Sequence, residues 1–188
     1  MSAPTRLAGW GTAADGTTVT WTVSEGRKGR RWREVVARGA DVVHALLLET
    51  GPDGTFSHLE LARADGLWTF HPEGDGTLHG NHVDRSEAGV RHVEGWSFRP
   101  DDVLVVDGSP ISLAAVAHRL AGLLDIGGSV VVDAIVVDQA SGLRREDALG
   151  IERLSQTRWR LGDRMSFDVD EAGLPVLDEQ QRRHLEVT

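Results

Sequence analysis

Residues 42–71 read VVHALLLETGPDGTFSHLELARADGLWTFH, and they predict three consecutive antiparallel strands. The first run is apolar enough for a core strand, and the second alternates Leu59 and Leu61 with polar residues. Asp-Gly separates the runs at both turns. Asp and Gly tolerate the positive φ that tight hairpins need, so this pair between such runs is a strong hairpin signal. The predicted strands are 42–49, 56–63 and 67–71.

The same Asp-Gly turn signal recurs on both sides of this stretch. Asp-Gly occurs at Asp15-Gly16, Asp53-Gly54, Asp65-Gly66, Asp75-Gly76 and Asp107-Gly108. Residues 17–24 place Val and Trp on one face and Thr on the other, which is typical of a half-buried strand. Further strands are predicted over 77–83, 90–98, 103–106 and 130–137. The chain is therefore predicted to be mainly β, an antiparallel meander that continues through 103–106.

One amphipathic helix is predicted at about 110–124. Ser109-Pro110 supplies its start, because Ser caps well and Pro is favoured in the first turn. The apolar stripe consists of Leu113, Val116, Leu120 and Leu124, and Gly127-Gly128 is the predicted end. We expect 130–137 to be a central strand beneath this helix. Residues 1–16 are predicted to be a loosely ordered lead-in, and 17–188 a single domain.

Composition excludes several classes of function. The 188 residues carry a formal charge of −9, which disfavours a broad nucleic-acid or anionic-membrane surface. The basic segment 27–31 (Arg-Lys-Gly-Arg-Arg) is a local exception. There is no cysteine, so disulfides and thiolate chemistry are excluded. No signal-peptide pattern and no run long enough to span a bilayer is present. We therefore expect a cytoplasmic protein without stable membrane insertion.

The densest polar cluster is LHGNHVD at 78–84, with His92 nearby. On a strand His82 and Asp84 point one way while His79 and Asn81 point the other, unless Gly80 supplies a bulge. This spacing fits a metal site poorly, so we expect solvated histidines and no metal. Asn81 and Asp84 are the better candidates for a pocket or a turn.

Tryptophan dominates the aromatic residues, with six against no tyrosine. Each is most simply a core filler, yet indole rings on different strands can share a cavity wall and donate hydrogen bonds. Arg119 lies beside the apolar helix stripe and suits a carboxylate or phosphate head group. The candidate ligand-binding residues are Trp21, Trp32, Trp68, Asn81, Asp84, Trp96, Arg119 and Trp159.

No enzyme signature is present. The serines lack the Gly-x-Ser-x-Gly elbow and the Ser-x-x-Lys pattern, and Ser109 is explained as a helix cap. No glycine-rich phosphate loop precedes the helix. We assign no catalytic residue and expect no cofactor.

From about residue 59 onward, the order of several short motifs resembles a glycolipid-binding family of bacterial proteins. The motifs are Gly66-Leu67-Trp68, the 78–84 element, Ser109-Pro110 through Arg119-Leu120, Gly127-Gly128-Ser129-Val130, Arg158-Trp159-Arg160, and Val169-Asp170 through Gly173-Leu174. Asn81 stands where a cysteine is common in that family. The resemblance implies an incompletely closed β half-barrel with the helix packed in or over its concave face, similar to periplasmic lipoprotein carriers.

Three functions follow as hypotheses. The first is binding of a lipid-like or glycolipid-like amphiphile in the concavity. The second is a cofactor-free barrel enzyme, a cyclase or isomerase, with His82 or Asp84 as general base in a dry cavity. The third is a structural or interaction module without a cavity. A homodimer through an edge strand is a further possibility.

Overall fold

The structure is a computed structural model that describes residues 5–12, 16–86, 89–138, 142–163, 165–177 and 185–186. In chain order its elements are β1 (Thr5–Thr12), β2 (Thr18–Gly26), β3 (Gly29–Arg38), β4 (Asp41–Thr50), β5 (Phe56–Arg63), β6 (Gly66–Pro72), β7 (Thr77–Asp84), β8 (Val90–Ser97), β9 (Val103–Val106), α1 (Pro110–Ala121), β10 (Ser129–Asp138), β11 (Gly142–Arg153), β12 (Arg158–Leu161), β13 (Met165–Val169), β14 (Pro175–Val176) and β15 (Leu185–Glu186). The predicted fold class, mainly β with one helix, is confirmed.

The chain divides into two compact units. The first comprises 1–52, 56–100 and 178–188, and the second comprises 53–55 and 101–177. The prediction of one domain over 17–188 is not tested by this division and stays a prediction.

The first unit contains a nine-stranded antiparallel sheet in the order β15-β1-β2-β3-β4-β5-β6-β7-β8. From β1 to β8 each strand pairs with the next one in sequence, which confirms the meander. In the described ranges the end strands β8 and β15 do not pair with each other, so the sheet is incompletely closed.

The Asp-Gly turns explain this regularity. Glycines 54, 66, 76 and 108 all adopt positive φ, between 72° and 155°, and Asp15 lies outside the described residues. At two turns the Asp carboxylate accepts hydrogen bonds from the hydroxyl and the backbone N–H of the Thr two residues on, Asp53 from Thr55 and Asp75 from Thr77. The Thr hydroxyl bond, followed by the N–H bond, lowers the pKa of both carboxyls.

The lead-in prediction is wrong for residues 5–12, since these form β1 and pair with β2 along its full length. The segment is rich in small residues, which hides a strand signal. Gly9 shows why they are needed: a Cβ there would lie 2.4 Å from the Trp21 indole. Residues 1–4 and 13–15 lie outside the described part of the chain.

The second unit contains a six-stranded sheet in the order β14-β13-β12-β11-β10-β9. The prediction that 103–106 continues the meander is wrong, because β9 joins this second sheet and runs parallel to β10. Parallel neighbours need a crossover connection, and α1 supplies it. The helix contacts β9, β13 and β14. Of the prediction of a central strand beneath the helix at 130–137, the structure shows only that β10 lies between β9 and β11 and is not an edge strand.

The start of α1 is as predicted: the Ser109 side chain accepts the backbone N–H of Ser112, and Pro110 opens the first turn. Its end comes earlier than predicted, at Ala121. The Arg153 guanidinium donates to the carbonyls of Ala121 and Leu124, 3.0 and 2.8 Å away, so a side chain on β11 satisfies the end of the helix.

Candidate functional site

The strand register of the nine-stranded sheet aligns one residue from each of seven strands on a single face. We call this line the central row; it consists of Trp21, Glu34, Leu46, Leu61, Trp68, His82 and Arg91. Alternation puts this face inside, because the interior positions of the row are buried while their strand neighbours are more exposed. Polar groups on this face therefore require partners.

Two aromatic rings meet at the β6–β7 part of the central row. Trp68 and His82 lie directly opposite each other, and their rings stack with centroids 4.1 Å apart and planes 23° apart. We refer to them as the Trp68–His82 pair. The prediction that His82 would be a solvated strand histidine is wrong: it is 2% exposed.

Arg91 fixes the tautomer of His82. Its Nη2 lies 2.9 Å from Nδ1 of the imidazole. A guanidinium only donates hydrogen bonds, so Nδ1 is the acceptor and the ring proton is on Nε2. That Nε2 is buried and has no hydrogen-bond partner among the described residues.

Gly66 makes room for this arrangement. It lies at φ 155°, and a Cβ there would come within 2.8 Å of His82 Nε2 and 2.2 Å of the Val83 carbonyl oxygen. Position 66 thus requires glycine for two reasons: a side chain there would clash with the Val83 carbonyl of the backbone and with the His82 imidazole.

The ring N–H of Trp68 is in the same situation as the ring N–H of His82. Its Nε1 is buried and finds no partner in the described part of the chain, although its ring is half-buried. A buried donor without an acceptor costs about 1–3 kcal/mol, and such groups in a native structure call for an explanation. The Trp68–His82 pair therefore presents two unsatisfied N–H groups on one apolar face.

Surface exposure increases toward β8. Phe70 and Leu61 are fully buried, whereas Trp96 and Val93 are half-buried and Arg91 is exposed. A ligand approaching the Trp68–His82 pair from this side would meet indole and aliphatic surface together with a guanidinium.

A second buried polar pair lies on β3 and β4 and was missed by sequence reasoning. Glu34 and His44 are 1% and 2% exposed, and Oε1 lies 3.0 Å from Nε2. The signal was present in the alternation, because Glu34 falls between Trp32 and Val36 on the inward side of β3. In contrast to the Trp68–His82 pair, these groups bond to each other.

The predicted ligand residues separate into different environments. Trp21, Trp32 and Trp159 are at most 3% exposed and belong to the cores of their units. Trp32 also donates to the Thr50 hydroxyl at 3.3 Å. Core packing accounts for these three, while the register brings Trp21 and Trp68 into the same row.

The polar candidates have local roles. Asp84 accepts the backbone N–H and hydroxyl of Ser86, both at 2.7 Å, so it organises a turn as expected. Arg119 belongs to the second unit and donates to the Asp102 carbonyl at 2.8 Å. Asn81 lies on the opposite strand face from His82, and its buried Oδ1 has no partner within the described ranges.

Three histidines line that opposite face. His71, His79 and His92 have neighbouring ring centroids 5.2 and 5.6 Å apart. The register of β7 with β8 shifts between Leu78 and Gly80, where the sequence allowed a bulge. Among the described residues no group of three or more His, Cys, Asp or Glu could hold a metal ion.

No family model and no curated protein matches the chain. A solved structure with a similar arrangement is a DUF1089 family protein from Pseudomonas aeruginosa. It is 13% identical, with 97% of this chain and 93% of that chain covered and a TM-score of 0.49. A similarity this distant supports no statement about function.

No helix within the described ranges is long and apolar enough to cross a membrane.

Proposed function

We propose that this protein binds a lipid-like or glycolipid-like amphiphile, with its head group at the Trp68–His82 pair. The observation that carries the proposal is a pair of stacked rings on neighbouring strands whose buried N–H groups have no acceptor among the described residues. An oxygen-bearing head group would supply those acceptors.

The surroundings suit an amphiphile. Arg91 uses one N–H on His82 and keeps other donors for a hydroxyl, carboxylate or phosphate oxygen. Trp96 and Val93 on β8 offer half-buried apolar surface for a chain. The ligand would be polar at one end and apolar at the other, which is the composition of most small-molecule sites in proteins.

The enzyme hypothesis has less support at this site. A general base needs a free lone pair, whereas Nδ1 of His82 accepts from Arg91 and Nε2 carries the proton. The Asp84 carboxylate is engaged by Ser86. His82 is therefore better placed to donate a hydrogen bond than to abstract a proton.

The first test is native mass spectrometry after incubation with a bacterial lipid extract, followed by titration with octyl glucoside monitored by tryptophan fluorescence. We expect one retained amphiphile and a saturable fluorescence change. Trp68→Phe keeps an aromatic ring at this position and removes the indole N–H donor, so it should weaken binding about fivefold.

Trp10→Phe is the matched control, because Trp10 is 42% exposed on β1 and outside the central row. It should bind like the wild type. Absence of any retained lipid together with an unchanged fluorescence spectrum would reject the proposal, as would equal weakening by Trp10→Phe and Trp68→Phe.

A further inference from the structure

A second candidate site lies largely on the other face of the nine-stranded sheet. Around the β2–β3 hairpin end, a groove of about 560 Å³ is lined by five cationic side chains. We call it the basic groove; its cations are Arg6, Lys28, Arg30, Arg31 and Arg33. It includes most of the basic segment 27–31, which the proposed amphiphile site does not use.

Strand alternation separates this groove from the central row. Arg31 and Arg33 flank Trp32 on β3, and Trp32 and Glu34 point into the buried face. Arg31 pairs in register with Ser24 and with Glu49, which also line the groove. Arg31 and Arg33 are therefore on the face opposite the central row, whereas Arg30 shares the face of Trp32 and lines the groove at the hairpin end. Since Arg33 and Trp68 lie on opposite faces, variants of these two residues test the two sites independently.

The charges in the groove do not balance. Only two carboxylates line it: Glu25, which pairs with Arg30 at 2.8 Å, and Glu49, which pairs with Arg31 at 2.5 Å. In the described part of the chain, Arg6, Lys28 and Arg33 have no hydrogen-bond or ion-pair partner. This local excess of positive charge occurs in a chain whose formal charge is −9.

The groove is also held in shape. Gly29 adopts φ 113°, and a Cβ there would lie 1.9 Å from the Thr50 carbonyl oxygen, so β3 starts close against the end of β4. The Arg30 guanidinium lies 5.5 Å from the Trp32 ring centroid, and its side chain is only 14% exposed. Hydroxyls of Thr22, Ser24 and Ser57 add neutral hydrogen-bonding groups.

We propose that the basic groove binds a soluble phosphorylated small molecule. Guanidinium groups match phosphate oxygens with paired hydrogen bonds, and Lys28 adds a mobile point charge. The volume lies in the range of small-ligand sites. The hydroxyls suit the polar body of a sugar phosphate or a similar ester.

A nucleic acid fits these observations less well. Its binding is driven by cations spread along a surface and is opposed by net negative charge, whereas here the cations surround one groove of a strongly acidic chain. A small phosphate ester needs only the groove.

The experiment is isothermal titration calorimetry of the full chain with pyrophosphate, glucose 6-phosphate and glucose at low ionic strength. Pyrophosphate and glucose 6-phosphate should each bind at one site, and their affinity should fall as salt is added. Glucose, which carries no phosphate, should not bind. Arg33→Gln should reduce the affinity about tenfold, because it removes one charge-assisted contact.

Arg85→Gln removes the same charge from an exposed position in the same unit, outside the groove, and should leave binding unchanged. Circular dichroism checks that both variants fold. The proposal is overturned if neither phosphate compound binds, or if Arg85→Gln weakens binding as much as Arg33→Gln. Tighter binding of a short single-stranded oligonucleotide, or binding of phosphatidic acid vesicles alone, would likewise overturn it in favour of another ligand.

Discussion

Two parts of the same buried sheet face treat their polar groups in opposite ways. On β3 and β4, Glu34 and His44 are buried and hydrogen-bonded to each other at 3.0 Å. On β6 and β7, Trp68 and His82 are stacked, yet no described residue supplies an acceptor for the buried N–H of either ring.

The contrast separates a structural polar pair from a candidate binding site. A hydrogen bond within the protein offsets the desolvation of a buried polar group. A buried polar group without such a bond destabilises the protein by about 1–3 kcal/mol, and a ligand that supplies the missing partner can remove this penalty. If this interpretation is right, removing polar atoms should destabilise the protein on β3–β4 and not on β6–β7.

The largest effect is expected at Glu34. Glu34→Leu leaves the buried His44 Nε2 without its partner, so the free energy of unfolding should fall by about 3 kcal/mol. Urea denaturation measures the change. Replacing both residues, Glu34→Leu with His44→Leu, should recover part of the loss because neither member of this hydrogen bond is then left buried without the other.

A double variant as unstable as Glu34→Leu would show that the pair contributes through shape and not through its hydrogen bond. The Glu34–His44 pair would then no longer serve as the hydrogen-bonded case in the comparison with the Trp68–His82 pair.

The same substitution at two tryptophans sharpens the comparison. Trp32→Phe removes a paired N–H and core volume from a fully buried site, and should cost about 2–3 kcal/mol. Trp68→Phe removes an unpaired N–H from a half-buried ring and should stay within about 1 kcal/mol of the wild type. Thermal and urea unfolding of the two variants side by side give the difference. Equal losses would contradict the assignment of Trp68 as unsatisfied.

Local chemistry was sufficient to predict most of the first sheet. The Asp-Gly turns and the period-2 alternation are short-range signals, and they predicted hairpins such as β4–β5 and β5–β6 closely. What they do not encode is which sheet a strand joins. Residues 103–106 were predicted as a strand, but the parallel pairing of β9 with β10 depends on a partner more than twenty residues away.

The candidate site was predictable only in part. The sequence predicted that His79 and Asn81 lie on the strand face opposite His82 and Asp84, and the register confirms it. Whether a given side chain has a partner depends on cross-strand neighbours. His82 next to Arg91, and Glu34 next to His44, are contacts that no single segment contains. Tryptophan content alone likewise did not separate core rings such as Trp159 from half-buried ones such as Trp68.

The smallest effect concerns a polar group that is paired but exposed. The Thr55 hydroxyl donates to Asp53 Oδ1 at 2.6 Å and its N–H donates at 3.0 Å, and these bonds hold the pKa of Asp53 below its ordinary value. Thr55→Val removes the hydroxyl bond, so the pKa of Asp53 should rise toward the ordinary value while the pKa of Asp75, which has its own Thr77, stays lowered. An NMR titration of both carboxyls measures this.

The stability consequence has a definite sign. A carboxyl with a lowered folded-state pKa contributes stability that is complete above its unfolded pKa and is lost as the pH falls through the folded value. The Thr55→Val variant should therefore lose slightly less stability on acidification than the wild type. Because Asp53 is exposed to solvent, this change should be far smaller than that at Glu34, as expected if burial sets the cost of an unpaired polar group. A shift of Asp75 equal to that of Asp53 would instead indicate a change of the whole fold.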